Sequence, residues 1–165
     1  MIFIALGANL PSRYGTPEIT LCKAISALKE SGVDVLDVSN IWITRPVPDD
    51  GQPLYRNAVI RVETSLEPQA LLNLLHDIEK DFGRIRHIRN EARVIDLDLL
   101  VYNDVVLSEN NITVPHPRMH KRAFVLVPLS EIAENWTHPV FGKTAAQMLS
   151  DLSDPSQITT MYKAA

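Results

Sequence analysis

Several features that define particular classes of protein are scarce in this chain. Cys22 is its single cysteine, which excludes internal disulfides and thiolate metal clusters and suits a reducing, cytoplasmic location. Positive charge is not in surplus, because the formal net charge is −4. Coating nucleic acid or an anionic membrane requires an excess of Lys and Arg, so we expect neither partner. No apolar run is long enough to span a bilayer.

Motifs that would assign a function directly are also missing. The segment GANLPS after the first apolar run lacks the lysine and the glycine spacing of a P-loop. His116 and His120 are four residues apart, but prolines flank His116 and no HExxH sequence is present, which argues against zinc. The opening MIFIALGANL has no basic region and is interrupted by Gly7 and Asn9, so it predicts a first strand and not a signal peptide.

The 165 residues, 45% of them hydrophobic and 22% charged, have the size and composition of one globular domain spanning 1–165. Alternation of polar and apolar residues predicts strands, and apolar residues at intervals of three and four predict helices. Along the chain these patterns predict a strand at 2–6, a helix at about 18–30, a strand at 33–43, an irregular connection at 44–53, a strand at 55–64, a helix from Pro68 to Gly83 and a strand at 94–102.

The resulting βαββαβ order is typical of an α+β, ferredoxin-like fold, in which two helices cover one face of an antiparallel sheet. A short hairpin near 105–114, a polar turn at 115–122 and a helix around 144–152 are predicted additions to the same domain. The polar residues from 156 to 165 are expected to fray.

The first candidate site is the pair Asp96 and Asp98 in the apolar strand VIDLDLLVY. Residues i and i+2 of a strand share a face, so the two carboxylates converge. A solvated strand face would explain a DxD sequence by itself. In a strand that is apolar at nearly every other position, two carboxylates side by side favour a cation, and hard oxygen ligands suit Mg²⁺.

Basic residues surround this strand in the sequence. The preceding segment holds five of them, Arg84, Arg86, His87, Arg89 and Arg93, and a second cluster follows at His116, Arg118, His120, Lys121 and Arg122. Arginine forks bind phosphate oxygens in pairs of hydrogen bonds, so carboxylates beside arginines predict a nucleoside-triphosphate site. Glu79 falls on the apolar side of its helix, where it either contacts the nucleotide or a loop arginine or lies at the edge of the apolar stripe.

These motifs resemble those of the 6-hydroxymethyl-7,8-dihydropterin pyrophosphokinase family. The similarity runs in order through IALGANLP, YRNAVIRVETSL, RVIDLDLLVY, VPHPRMHKRAFVLVPLSEIA and HPVFGKT, and covers about nine tenths of the chain. The resemblance implies a ferredoxin-like fold and transfer of the β,γ-diphosphate of ATP to the hydroxymethyl group of the pterin, which leaves AMP and serves folate biosynthesis. It implies small-molecule substrates only, and we expect a monomer.

The resemblance also implies roles for individual residues. Asp96 and Asp98 would bind two Mg²⁺ ions and, with Arg84 and Arg93, form the catalytic set. The ATP-binding set is Glu79, Arg84, Arg86, Arg93, His116 and Arg122. The pterin-binding set is Thr44, Val47, Tyr55, Asn57 and Phe124, in which two aromatic rings would stack on the flat bicycle and the amide would bind its edge. Phe124 alone would more often be a core residue.

One segment departs from the family pattern. Where many members have R-W-G-P-R, this chain has RNEAR at 89–93, so the tryptophan that seals the closed site is missing and the loop is one residue shorter. The family's three mobile loops correspond to 11–17, 44–53 and 83–93, and we expect loop closure and product release to differ in this chain.

Two other functions stay open on the sequence alone. The same topology carries RNA-binding domains, although those expose aromatic residues on the central strands, where this chain has Asp96 and Asp98. A relative that binds pterin or nucleotide without turnover is the other alternative.

Overall fold

The computed structural model describes residues 1–46, 49, 51–83, 92–109, 111–154, 156–159 and 161–164. Its strands are β1 (Ile2–Ala8), β2 (Asp34–Val38), β3 (Trp42–Thr44), β4 (Tyr55–Glu63), β5 (Asp96–Tyr102), β6 (Leu107–Glu109), β7 (Ile112–Val114) and β8 (Tyr162–Lys163). Its helices are α1 (Pro17–Glu30), α2 (Pro68–Asp81), α3 (Ala123–Ile132), α4 (Ala145–Ser150) and α5 (Ser156–Thr159), with a 3₁₀ turn at Met119–Lys121.

The main sheet is antiparallel, with the strand order β5-β1-β4-β3-β8, and β2 also pairs with β4. Strands β6 and β7 form the separate hairpin that the sequence predicts. The first and third strands of the predicted βαββαβ order correspond to β1 and β4, which lie at the centre of the sheet, and the fourth corresponds to β5, which lies at an edge. This arrangement confirms the predicted ferredoxin-like fold.

Two apolar clusters cover the two faces of the sheet. Alternate residues of β1, such as Ile2, Ile4 and Leu6, pack with α1 and α2 in the larger cluster. Phe3 points to the other face and packs with residues of α3 and α4. Segments C-terminal to the βαββαβ unit therefore cover the second face, which carries the candidate site.

The helix boundaries follow from local chemistry. Both α1 and α2 have a proline in the first turn, at Pro17 and Pro68, where the missing N–H costs no hydrogen bond and φ is already helical. Gly83 follows α2 with φ of +88°, a conformation that glycine adopts without strain. Helix α4 starts with a capping box between Thr144 and Gln147. None of the described helices combines the length and apolar character that a bilayer crossing requires.

Two sequence predictions about elements are wrong. The single strand predicted at 33–43 is two strands, β2 and β3, separated at Ser39, where both its amide and its hydroxyl bond to Val59 of β4. The residues expected to fray at 156–165 include α5 and β8. Strand β8 pairs with β3, and the amide of Ala164 donates to the carbonyl of Ile41 at 2.8 Å.

Candidate functional site

The candidate site lies at one end of the sheet, where β1 and β3 end and β4 and β5 begin. Asp96 is paired with Gly7 of β1, and Asp98 is paired with Ala5, which packs against the α3 side of the sheet. Leu97 and Leu99 point to the opposite face and are buried in the larger cluster. The strand alternation predicted for the two carboxylates is therefore confirmed.

Basic side chains contact both carboxylates, as the sequence suggests. Arg93 Nη1 lies 2.5 Å from Asp96 Oδ2. Arg122 Nη1 lies 3.9 Å and His116 Nε2 4.0 Å from Asp98 Oδ2. Arg122 precedes the first residue of α3, and the His116 amide is fixed by donation to the carbonyl of Leu100 in β5 at 2.7 Å. Three of the predicted phosphate-binding residues thus surround the carboxylate pair.

The local electrostatics differ among the three basic residues. Burial and then the charges of Arg122 and Arg118 lower the pKa of His116 to about 4. The neutral imidazole is therefore the favoured form of His116 near pH 7. Burial and then Arg118 lower the pKa of Arg122. Burial is the largest single influence on Arg93 and disfavours its charge, but the attraction and hydrogen bond of Asp96, together with Tyr55 and Asp98, raise the pKa of Arg93 overall.

Glu79 of α2 is almost completely buried, with 1% of its surface exposed. Its Oε1 accepts a hydrogen bond of 2.7 Å from the amide of Leu97, the residue between the two aspartates. The position is thus not the edge of the apolar stripe. Glu79 supports the backbone of β5 where the carboxylate pair projects.

The described residues of the predicted pterin-binding set, Thr44, Tyr55, Asn57 and Phe124, lie on the same side of the sheet. Thr44 and Tyr55 are paired across β3 and β4, and the buried Asn57 donates from Nδ2 to Thr44 Oγ1 at 2.7 Å. Thr44 and Phe124 both line a cavity of roughly 300 Å³. Phe124 also packs against the second apolar cluster, and its ring centre is 5.4 Å from the guanidinium carbon of Arg122, so it joins the core to the site.

Gly7, to which the sequence analysis assigned no role, makes room for this amide. A Cβ atom at Gly7 would lie 3.0 Å from Asn57 Oδ1, closer than ordinary packing allows. The GAN motif is part of the family resemblance, but the sequence alone does not show why a glycine is needed there. The reason becomes visible once Asn57 is known to be the residue paired with Gly7.

Asn9 is a second residue that the sequence analysis missed. Its Oδ1 accepts from the amide of Arg93 at 2.8 Å, and its Nδ2 donates to Gln52 Oε1 and to the carbonyl of Pro53, both at 3.2 Å. Its own amide donates to the carbonyl of Arg93 at 3.1 Å. This buried side chain therefore joins the end of β1, the 44–53 connection and the segment that carries Arg93.

Three of the predicted site residues, Val47, Arg84 and Arg86, lie outside the residues that the structure describes, as do most positions of the loop in which RNEAR replaces the family pattern. Their assignments stay predictions.

The carboxylates of Asp96 and Asp98 could hold a metal ion. In the described part of the chain, no group of three or more His, Cys, Asp or Glu side chains is arranged around a common point. Two carboxylates on one strand face provide few protein ligands, and Mg²⁺ normally completes its octahedron with water and substrate phosphates.

An antiparallel α+β sheet with a carboxylate pair among arginines at one end is an arrangement suited to enzymes that transfer phosphate groups from a nucleotide. A family model described as 7,8-dihydro-6-hydroxymethylpterin-pyrophosphokinase (HPPK) matches residues 3–134. A 2-amino-4-hydroxy-6-hydroxymethyldihydropteridine pyrophosphokinase of Haemophilus influenzae is 39% identical over 83% of this chain and 84% of its own length. The chain belongs to this pyrophosphokinase family, as the sequence predicted.

Longer relatives contain the same domain. A folic acid synthesis protein of Pneumocystis carinii is 36% identical over 93% of this chain, which spans only 20% of that protein. The solved structure of a Plasmodium falciparum HPPK-DHPS variant with pterin and p-hydroxybenzoate has a TM-score of 0.74 and 14% identity, and the match covers 98% of this chain and 46% of that one. This structural likeness supports the fold, and the family match makes the chain a pterin pyrophosphokinase of folate biosynthesis.

Proposed function

We propose that this chain transfers the β,γ-diphosphate of ATP to the hydroxymethyl group of 6-hydroxymethyl-7,8-dihydropterin, giving AMP and the pterin diphosphate. The observation that supports this reaction most strongly is the position of the carboxylate pair. Asp96 and Asp98 lie among Arg93, His116 and Arg122, on the side of the sheet where Thr44 and Phe124 line the cavity. A polyphosphate and a flat heterocycle can then meet at one place.

Asp96 and Asp98 are the proposed ligands of two Mg²⁺ ions. Bound there, the ions would neutralise charge on the polyphosphate and orient it for in-line attack. The ion pair between Arg93 and Asp96 would loosen as the nucleotide binds, because phosphate oxygens offer Arg93 a second anionic partner. Asp96 would then be able to bind the metal ion.

The ATP-binding set proposed from the resemblance is Glu79, Arg84, Arg86, Arg93, His116 and Arg122. Arg93 and Arg122 would bind phosphate oxygens, and the neutral His116 would donate one hydrogen bond to them. Glu79 would act mainly through β5, because its described contact is with the Leu97 amide. Arg84 and Arg93 complete the proposed catalytic set by holding the transferred group in line.

The pterin would bind beside Thr44, Asn57 and Phe124, with Tyr55 and Val47 in the same set. Asn57 Nδ2 already donates a hydrogen bond to Thr44 Oγ1. Its Oδ1 would therefore be the atom that accepts from N–H groups of the ring. We further propose that the enzyme works as a cytoplasmic monomer on these two small substrates, without nucleic acid or membrane.

The test is a comparison of Asp98→Asn with the unmodified chain in the presence of Mg²⁺, ATP and the hydroxymethyldihydropterin. The substitution keeps the size of the side chain and removes the charge, so we expect AMP formation to fall by at least about 100-fold. Asp104→Asn, an exposed aspartate just after β5, is the matched control and should retain full activity.

Chelation with EDTA should stop the reaction, and added Mg²⁺ should restore it. Activity that survives both EDTA and Asp98→Asn would contradict the metal assignment. Binding of both substrates to the unmodified chain without any AMP would instead support a relative that has lost turnover.

A further inference from the structure

The cavity beside Phe124 has a wall that comes from the end of the described chain. We refer to α5, Met161 and β8 as the α5–β8 segment. Thr44, Arg45 and Pro46 line one side of the cavity, and Ala123 and Phe124 line another. Gln157 and Met161 of the α5–β8 segment are also among the lining residues. At roughly 300 Å³, the space is at the lower end of the range for small-molecule sites.

Several contacts hold this wall in place. In β8, Tyr162 and Lys163 pair with Ile43 and Trp42 of β3. Lys163 Nζ lies 3.3 Å from Glu131 Oε1 of α3 and 5.6 Å from the centre of the Trp42 ring. The α5–β8 segment is therefore attached both to the strand that carries Thr44 and to the helix that carries Phe124.

Gln157 has donors available for a ligand. Its Oε1 accepts a long hydrogen bond of 3.4 Å from the Ala123 amide, at the start of α3 and next to Phe124. Among the residues that the structure describes, Nε2 of Gln157 has no hydrogen-bond partner. A half-buried amide with two donors beside a cavity suits a ring that presents nitrogen and oxygen acceptors at its edge.

Met161 offers a different kind of contact. Its side chain is unbranched and its thioether is polarizable, so it adapts to the face of an aromatic ring. The wall thus combines one directed polar group with one adaptable apolar group, the combination that small-molecule sites use for orientation and affinity.

We propose that Gln157 and Met161 contact the bound pterin, with Gln157 donating to an acceptor on the ring edge, so that the α5–β8 segment helps to determine affinity for this substrate. The proposal rests on the function proposed above, because it takes the pterin as the ligand of the cavity. It adds to the pterin-binding set two residues from a part of the chain that the sequence patterns left without structure.

The experiment measures binding of 6-hydroxymethyl-7,8-dihydropterin by calorimetry, with Mg²⁺ and a non-hydrolysable ATP analogue present. Gln157→Ala and Met161→Ala should each weaken pterin binding about fivefold to tenfold, as expected for one lost hydrogen bond or one lost apolar contact. The KM for pterin should rise by a similar factor. We expect kcat and the affinity for the ATP analogue to change less than about twofold, since neither residue is placed at the phosphates.

Two controls separate this role from a general effect on the fold. Gln69→Ala makes the same change on an exposed position of α2, and Ile158→Ala shortens an exposed residue of α5 that does not line the cavity. Both should keep the pterin affinity of the unmodified chain. A loss of pterin affinity in Ile158→Ala as large as that in Gln157→Ala or Met161→Ala would show that α5 affects pterin binding only through its stability. That result would overturn the proposal.

The outcomes distinguish this inference from the proposed function. Unchanged pterin affinity in both Gln157→Ala and Met161→Ala, in an enzyme that still forms AMP, would overturn the inference alone. Failure of the unmodified chain to bind the pterin would overturn both. Binding of the pterin without formation of AMP would overturn the proposed function alone.

Discussion

Gly7 and Asn57 make the site sensitive to a single methyl group. Gly7→Ala would place a Cβ atom 3.0 Å from Asn57 Oδ1, so the amide must turn or shift and lose its orientation against Thr44. We expect the KM for pterin to rise about tenfold, the equivalent of about 1.4 kcal/mol, while the KM for ATP changes little. Steady-state kinetics with each substrate varied in turn measure the difference.

Gly32→Ala is a useful comparison for that variant. Gly32 follows α1 with φ of +82° and has open space around it, so alanine there should cost about 1 kcal/mol of stability without affecting the pterin. A similar rise in pterin KM in both variants would mean that Gly7 acts through stability and not through Asn57.

Glu79 Oε1 accepts a hydrogen bond of 2.7 Å from the Leu97 amide, at the point where β5 presents both aspartates. Glu79→Leu would remove this buried hydrogen bond, so we expect the free energy of unfolding to fall by about 2 kcal/mol. Glu79→Gln keeps an amide oxygen at the same place and should lose less. Urea denaturation of both variants measures the difference, and equal losses would show that the hydrogen bond is not the cause.

Among individual site residues, the sequence predicted those whose position follows from strand alternation. Asp96 and Asp98 share a face because they are two apart in a strand. Asn9 could not be recognised in the same way, because its partners are 43, 44 and 84 residues away. Its role depends on which loops meet after folding, and no local pattern encodes that.

The turn at 138–142 is a local element whose contribution to stability is expected to depend on pH. His138 is buried, and its Nδ1 accepts from the amides of Val140 and Phe141 at 3.2 and 3.4 Å. Its ring stacks on Phe141, which also contacts His120. Burial and then the charge of His120 lower the pKa of His138 below 6.5, so the neutral form is favoured in the folded state.

The sign of the resulting pH dependence follows from proton counting. Below pH 6.5 the unfolded chain binds a proton at this position that the folded chain resists, so stability present above pH 6.5 is lost as the pH falls toward the lowered pKa of His138. His138→Asn offers an acceptor that does not titrate and should reduce this loss. Urea denaturation at several pH values measures this loss. His116 and His120, whose pKa values are also lowered, would contribute to the remaining slope, as would Glu18 and Glu131 at lower pH. An unchanged slope would contradict the assignment.

Most elements could be predicted because their signals are local. A proline starts α1 and another starts α2, and apolar periodicity marks the body of each helix. The errors lie where tertiary contacts decide the structure. Alternation continues through Ser39, but the bonds of Ser39 to Val59 divide the predicted strand. Strand β8 has only two residues and depends on β3 for its pairing.

The whole molecule is a ferredoxin-like sheet with helices on both faces, and the second helical layer is what turns one end of the sheet into a site. Helix α3 brings Arg122 toward Asp98 and Phe124 to the cavity, while α1 and α2 cover the opposite face. The central claim is therefore that this end of the sheet transfers a diphosphate from ATP to a pterin.

ATP that carries radioactive phosphorus at its β position tests that claim most directly. If the enzyme transfers the β- and γ-phosphates together, all of the label that reacts should appear in the pterin product, and the AMP should be unlabelled. Label found in ADP, with an unlabelled pterin phosphate beside it, would show transfer of the γ-phosphate alone and would contradict the account.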